Sequence, residues 1–313
     1  MTIYEEAEAC CGAVFEIRHD LHRCPELGHR EWETTKYIRR CLEEWGAEVL
    51  ELGFPTGVAA RIRGGGPGKL LALREDIDAL PILENTGLPF ASQVRGMSHA
   101  CGHDIHTAAL LGCAKLLLQH RKELRGDVLL VFQCGEETFD GAASMLEQGL
   151  FQSDCPEAVV GFHCEPSLPV GTVGVRVGID NASCDSLRLE VEGRGGHGAH
   201  PEACVDPVVI SAGLIVQLQT LVSRYNAPQD PVVLTFGEIH GGTAPNVIPD
   251  TVTIRGTLRT LDRQVRKRQL EALQKVAPAF CQAMGGSCTV TIEKEVPPLI
   301  NPPDLSRQLE RTV

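Results

Sequence analysis

No apolar run in this 313-residue chain approaches the ~20 residues that a membrane-spanning helix requires. There is no G-x-S-x-G nucleophile elbow and no H-E-x-x-H helix, which removes the two hydrolase signatures most easily read from sequence. Basic residues are scarce: 29 Lys and Arg stand against 41 Asp and Glu, for a formal charge of −12. A nucleic-acid binder needs a basic face, so that class is excluded. The thirteen cysteines include no C-x-x-C pair. An odd, irregularly spaced set in a chain this long suits a reducing cytoplasm better than a disulfide framework. The opening residues Met1-Thr-Ile-Tyr-Glu-Glu6 are acidic and show no basic-then-apolar signal peptide. Low-complexity segments and short repeats are also missing.

What is there is ordinary for a globular protein, with 43% hydrophobic and 22% charged residues. The length exceeds one ordinary core and predicts two domains. Residues 3–23 and 30–46 read as amphipathic helices separated by Pro25 and Gly28. Val58 to Ile62 and Lys69 to Leu73 read as a hairpin across Gly64-Gly-Gly-Pro-Gly68. Three apolar runs end in acidic residues or a histidine. Leu70 to Leu73 delivers Asp76 and Asp78, Asp127 to Phe132 delivers Glu136 and Glu137, and Ala158 to Phe162 delivers His163. Helices over 105–120 and 141–149 alternate with them, which predicts a mostly parallel, helix-covered sheet. From residue 181 the order becomes β-α-β-β-α-β, a ferredoxin-like unit. The expected α/β organisation is a domain of residues 1–180 and 295–313, with residues 181–294 inserted into it.

Strand ends in an open α/β sheet share one edge, where ligands bind. Cys101 and His103 in Ser98-His-Ala-Cys-Gly-His-Asp104, Glu137, and His163 in Gly161-Phe-His-Cys164 can therefore converge. In an extended segment Cys101 and His103 point the same way and can share a metal. Taken singly each has a blander account: a buried thiol, a core histidine, or an acidic helix start for Glu136-Glu137. Together they favour a metal site. Two bare adjacent carboxylates would repel, which a dication relieves, and one of them could bind metal while the other serves as a base for water. A Cys101–His103 nucleophile pair is the competing chemistry, but it leaves Glu136-Glu137 unexplained.

Several longer motifs complete the picture: Arg18-His-Asp-Leu-His-Arg-Cys-Pro-Glu-Leu-Gly28, Asp76-Ile-Asp-Ala-Leu-Pro81, His99 to Asp104, Gly161 to Pro166, Gly195-Gly-His-Gly-Ala199 and Gly241-Gly-Thr-Ala-Pro-Asn-Val-Ile-Pro249. From about residue 14 to 300 the chain resembles the dinuclear metal amidohydrolases of the aminoacylase and carboxypeptidase G family. It is most similar to the branch of hippurate hydrolases, auxin-amino-acid conjugate hydrolases and N-acetyl-diaminopimelate deacetylases. The resemblance implies two divalent ions (Zn, Mn, Ni or Co) on Cys101, His103, Glu137 and His163, with Glu136 as general base. It implies that 181–294 is a lid and dimerisation domain whose His197 stabilises the oxyanion, and that Asn246 and Arg259 hold the substrate. The expected reaction is hydrolysis of N-acyl amino acids by a cytoplasmic homodimer, with no nucleic-acid or membrane partner.

The pattern departs from the family at Cys134-Gly135, at Thr138-Phe-Asp-Gly141 and at Glu202, which bears on pocket shape and leaves the ligands untouched. The family's last metal ligand is a histidine from the C-terminal part of the catalytic domain, and the chain reaches Val313 without it. The expectation is therefore a C-terminally truncated chain, with a non-catalytic metal-binding relic as the alternative to an active amidase.

Overall fold

Thr2 and Glu5 form a reciprocal cap at the start of α1 (Ile3–Arg23). Helix α2 (Trp32–Trp45) is capped from a distance, because the Glu26 carboxylate accepts the N–H groups of Glu33 and Thr34. Gly46, at φ +86°, ends it in the left-handed conformation that glycine adopts without strain. The computed structural model describes residues 2–313, which divide into two units, one ending at Ser167 and one running from Leu168 to Val313.

The first unit is built on five strands: β1 (Glu48–Val49), β2 (Val58–Ile62), β3 (Leu71–Asp76), β4 (Val128–Gln133) and β5 (Ala158–Val160), in sheet order β1-β2-β4-β3-β5. Strands β3, β4 and β5 run parallel, as the sequence predicts, and β1 and β2 add an antiparallel edge. Every residue of β4 is buried, the mark of a strand covered on both faces. Its side chains alternate between two cores. Leu130 and Phe132 meet Ile38 and Leu42 of α2 and Leu110 and Leu111 of α3 (His103–Gln119). Leu129 and Val131 face Met145 of α4 (Gly141–Glu147) on the other side.

The hairpin expected between β2 and β3 does not form. Strand β4 lies between them and pairs with both. The glycines serve a different purpose from a tight turn. The backbone of residues 122–126 passes directly over them: Gly126 N–H donates to Gly66 O at 3.0 Å, and a Cβ on Gly64 would sit 2.1 Å from Gly126 O.

The second unit contains β6 (Gly178–Asn181), β7 (Cys184–Glu192), β8 (Gly196–His197), α5 (Pro207–Ser223), β9 (Val232–Gly241), β10 (Val247–Ile248), β11 (Thr251–Thr260), α6 (Arg263–Ala283), β12 (Ser287–Val296), β13 (Leu299–Asn301) and α7 (Pro303–Glu310). Its main sheet is antiparallel, in order β12-β7-β11-β9. Leu187, Leu189 and Val191 of β7 pack with Ile210, Leu214 and Leu218 of α5 and Leu273 and Ala277 of α6. Asp206 and Asp262 cap the two helices through their carboxylates. The opposite side of α5 leaves Val208, Val209 and Val216 exposed. Strands β6 and β13 pair with each other, so residues 178–181 and 299–301 belong together in this unit. Among the described residues no helix is long and apolar enough to cross a membrane.

Candidate metal centre

The three parallel strands of the first unit end side by side, and each hands over to a short loop carrying polar side chains. After β4 the chain turns through Cys134 and Gly135 into Glu136 and Glu137. Two carboxylates hold that turn. Glu31, fully buried, accepts Gly135 N–H at 2.8 Å. Asp78, two residues past β3, accepts Glu136 N–H at 3.1 Å on one oxygen and Glu137 N–H at 3.0 Å on the other. After β5 the loop is pinned on either side of His163. Glu75 accepts Phe162 N–H at 2.9 Å, and His106 Nε2 accepts Cys164 N–H at 2.9 Å.

Cys101 and His103 sit at the start of α3, joined by Gly102 at φ +93°. A Cβ at Gly102 would lie 2.4 Å from Cys164 Sγ, so glycine is required here for both conformation and space. The four side chains singled out in the sequence do converge. Cys101 Sγ lies 3.3 Å from His163 Nε2, and His103 Nε2 lies 3.9 Å from Glu137 Oε1. Potential ligand atoms of Cys101, His103 and His163 fall within 4.8 Å of one another, as do those of His103, Glu136 and Glu137. His103 belongs to both trios and is the hinge of the cluster. His106 enters two further trios, but its ring is committed elsewhere: Nδ1 is 2.7 Å from Asp76 Oδ1 and Nε2 takes the Cys164 N–H. His163 Nδ1–H donates to Cys164 O at 2.7 Å, which leaves Nε2 as the free lone pair facing Cys101.

The electrostatics describe a site with surplus negative charge. Burial opposes a charge on His103, yet Asp78, Asp76 and Glu136 overcome it and push the imidazole up to about 9. Burial, then the Glu137 carboxylate, raise the Cys101 thiol to about 12. Burial and the Asp76 charge raise Glu136 above the ordinary carboxylate range. Both ring nitrogens of His103 and Glu137 Oε1 are buried with no hydrogen-bond partner; Asp78 Oδ1, 3.3 Å from His103 Nδ1, is out of alignment. Orphaned buried donors and acceptors of this kind are rare. A thiol, two imidazoles and two carboxylates around them form a donor set that suits zinc and other borderline divalent ions. The residues present therefore fit the expected metals.

The other three residues lie in the second unit. His197 and Asn246 are neighbours there: β8 pairs with β10, His197 opposite Val247, and Gly198 N–H donates to Asn246 O at 2.9 Å. Both are exposed. A pocket of about 490 Å³ beside them is lined by Gly198, Thr243, Ala244 and Pro245 among others. Arg259 is exposed near the far end of β11 and does not join the pair. Sequence reasoning assigned no role to Glu31, Glu75, Asp78 or His106. The sequence places Asp78 with Asp76 after the same strand, but nothing local shows which N–H groups its carboxylate would accept. Glu31 carries no local signal, because its partner is 104 residues away.

The profile of peptidase family M20/M25/M40 matches residues 72–313. The chain is 46% identical over 285 residues to an N-acetyl-L-cysteine deacetylase of Bacillus subtilis (strain 168), covering 91% of this chain and 68% of that protein. It is 39% identical over 302 residues to the IAA-amino acid hydrolase ILR1-like 2 of Arabidopsis thaliana, covering 96% and 68%. Among solved structures, the YxeP protein of Bacillus subtilis, a dinuclear metal binding peptidase from the M20 family, superposes with a TM-score of 0.81 at 37% identity, covering 97% of this chain and 81% of that one.

Proposed function

This chain belongs to peptidase family M20/M25/M40, and on that premise we propose that it is a metal-dependent amidohydrolase cleaving the amide bond of N-acyl amino acids. The observation that carries the reading is the double membership of His103 in a Cys101–His163 trio and a Glu136–Glu137 trio. In this reading Cys101, His103, Glu137 and His163 hold two divalent ions. Bound there, such ions polarise an acyl carbonyl and acidify water. Glu136 has the right chemistry for the base: it is a carboxylate adjoining the proposed ligand Glu137 and close to His103. It takes the proton of the attacking water and returns it to the leaving nitrogen. Asp78 keeps it in place through the backbone of the Glu136–Glu137 turn.

Residues 181–294 serve as lid and dimerisation domain. His197 and Asn246, brought together by the β8–β10 pair, meet the substrate's carbonyl and backbone, and Arg259 grips its carboxylate. The exposed valines of α5 support a homodimer. Thirteen free cysteines support a cytoplasmic site of action. The deciding experiment pairs metal analysis with hydrolysis of N-acetyl and N-benzoyl amino acids. Two tightly held ions with turnover are expected in the native chain. Glu136→Gln should keep the ions and abolish hydrolysis. One weakly held ion and no turnover in the native chain would favour the relic, and turnover surviving in Glu136→Gln would remove the base assignment.

A further inference from the structure

The motif Arg18–Gly28 lies outside the chemistry above, yet its side chains reach the segment that carries Cys101 and His103. Arg18 Nε donates to Asp104 Oδ2 at 2.8 Å, and His22 Nδ1 is 2.8 Å from the same oxygen. Asp104 follows His103 directly, and its side chain is fully buried. The same helix face also grips the segment preceding Cys101. His22 Nε2 is 3.3 Å from Glu84 Oε1. His19 stacks on Phe90 with centroids 4.0 Å apart, and the Arg18 guanidinium lies 4.8 Å from that ring. Gln93 N–H donates to Arg23 O at 2.8 Å. One face of α1 therefore holds the chain on both sides of the Cys-Gly-His segment.

We propose that Arg18 and His22 are positioning residues for the metal site: by holding Asp104 from α1 they fix the rotation of the first turn of α3, and with it the aim of Cys101 and His103. The proposal rests on the reading of those two as ligands. Its physical basis is the cost of an uncompensated buried carboxylate. Without Arg18 the buried Asp104 carboxylate keeps only the His22 ring on that oxygen, and the weaker hold lets its side chain shift toward water and the adjoining His103 shift with it. An interaction serving only to dock α1 would behave differently, and the molecule contains a comparison. At its other end α1 is tied to α3 by Glu6 Oε2, 2.6 Å from His120 Nε2, at the opposite end of α3 from Cys101 and His103.

The test is Zn²⁺ affinity of the full chain, measured by competition with a chromophoric chelator, with circular dichroism on each variant. Arg18→Leu should weaken Zn²⁺ binding on the order of tenfold, the scale seen for groups that orient metal ligands. Arg18→Lys should recover most of it, and Glu6→Gln should bind as the native chain does. If Arg18→Leu fails to fold, His22→Gln carries the same expectation. Native affinity in the folded Arg18→Leu or His22→Gln chain, or an equal loss in Glu6→Gln, overturns the positioning role. Cys101→Ala separates the two readings. Weakened binding there upholds the ligand assignment whatever Arg18→Leu does, whereas native affinity removes that assignment and the positioning role with it.

Discussion

Asp78 shows how a single side chain can organise a site without contributing chemistry of its own. Its two oxygens are divided between consecutive backbone N–H groups, those of the proposed base and the proposed ligand, and one of them also lies beside the His103 ring. Asp78→Ala removes all three contacts and leaves two half-buried N–H groups without their acceptor. The expected result is a 10- to 100-fold weaker Zn²⁺ affinity, about the range measured for outer partners of metal ligands, with the secondary structure intact by circular dichroism. Gly102 makes the opposite point, since what matters there is the lack of a side chain. At φ +93°, and with Cys164 Sγ where a Cβ would go, Gly102→Ala should cost about 1–3 kcal/mol of stability, read as a lower denaturant midpoint.

Helices α1 and α3 are joined through His120, whose Nε2 lies 2.6 Å from Glu6 and Nδ1 3.0 Å from Glu123. The Glu6 hydrogen bond, then that to Glu123, raise the imidazole above 6.5 in the folded chain. A raised histidine stabilises the fold fully below 6.5, and the contribution fades as pH rises through the folded value. Thermal unfolding should therefore separate native and His120→Gln chains at a pH below 6.5 and bring them together at alkaline pH; a gap that widened with pH would contradict the pairing. Most elements were legible in the sequence because their signals are local. Glu5, Gly46, Asp206 and Asp262 mark helix ends within a few residues of where they act, and the apolar runs of β3, β4 and β5 end in the groups they deliver. The pairing of β2 was not legible. Two strands separated by glycines look like a hairpin, and only the later arrival of β4 shows that they are not. The same limit hid Glu31 and the Arg18–Asp104 contact, whose partners are 104 and 86 residues apart, whereas the convergence of Glu137 and His163, which follow strand ends, could be read locally.

At the scale of the whole molecule, α5 is the element whose surface is least explained by its own unit. Its inner residues Ile210, Leu214 and Leu218 are buried, while Val216 is 71% exposed and Val209 58%. If the chain pairs through this face, as proposed, Val216→Glu should shift a dimer to a monomer in light scattering while leaving the secondary structure intact by circular dichroism, since at a position exposed within its own chain the substitution changes that chain's stability by only about 0.5 kcal/mol. A dimer unchanged by that substitution would place the interface elsewhere.

The interleaved sheet order has a consequence for how the chain comes into being. Strands β2 and β3 are synthesised early and share one partner, β4, which begins at Val128. Until that strand leaves the ribosome, β2 and β3 each present an open edge to their surroundings, and the Glu136–Glu137 turn does not yet exist. Closing such a sheet requires long-range pairs, antiparallel for β2–β4 and parallel for β3–β4, and long-range pairing is a slow step that exposes apolar surface while it lasts. A nascent chain arrested before β4 therefore carries two unpaired strand edges, and the proposed metal-binding corner, which needs residues after β4 and β5, cannot assemble until both strands have been made.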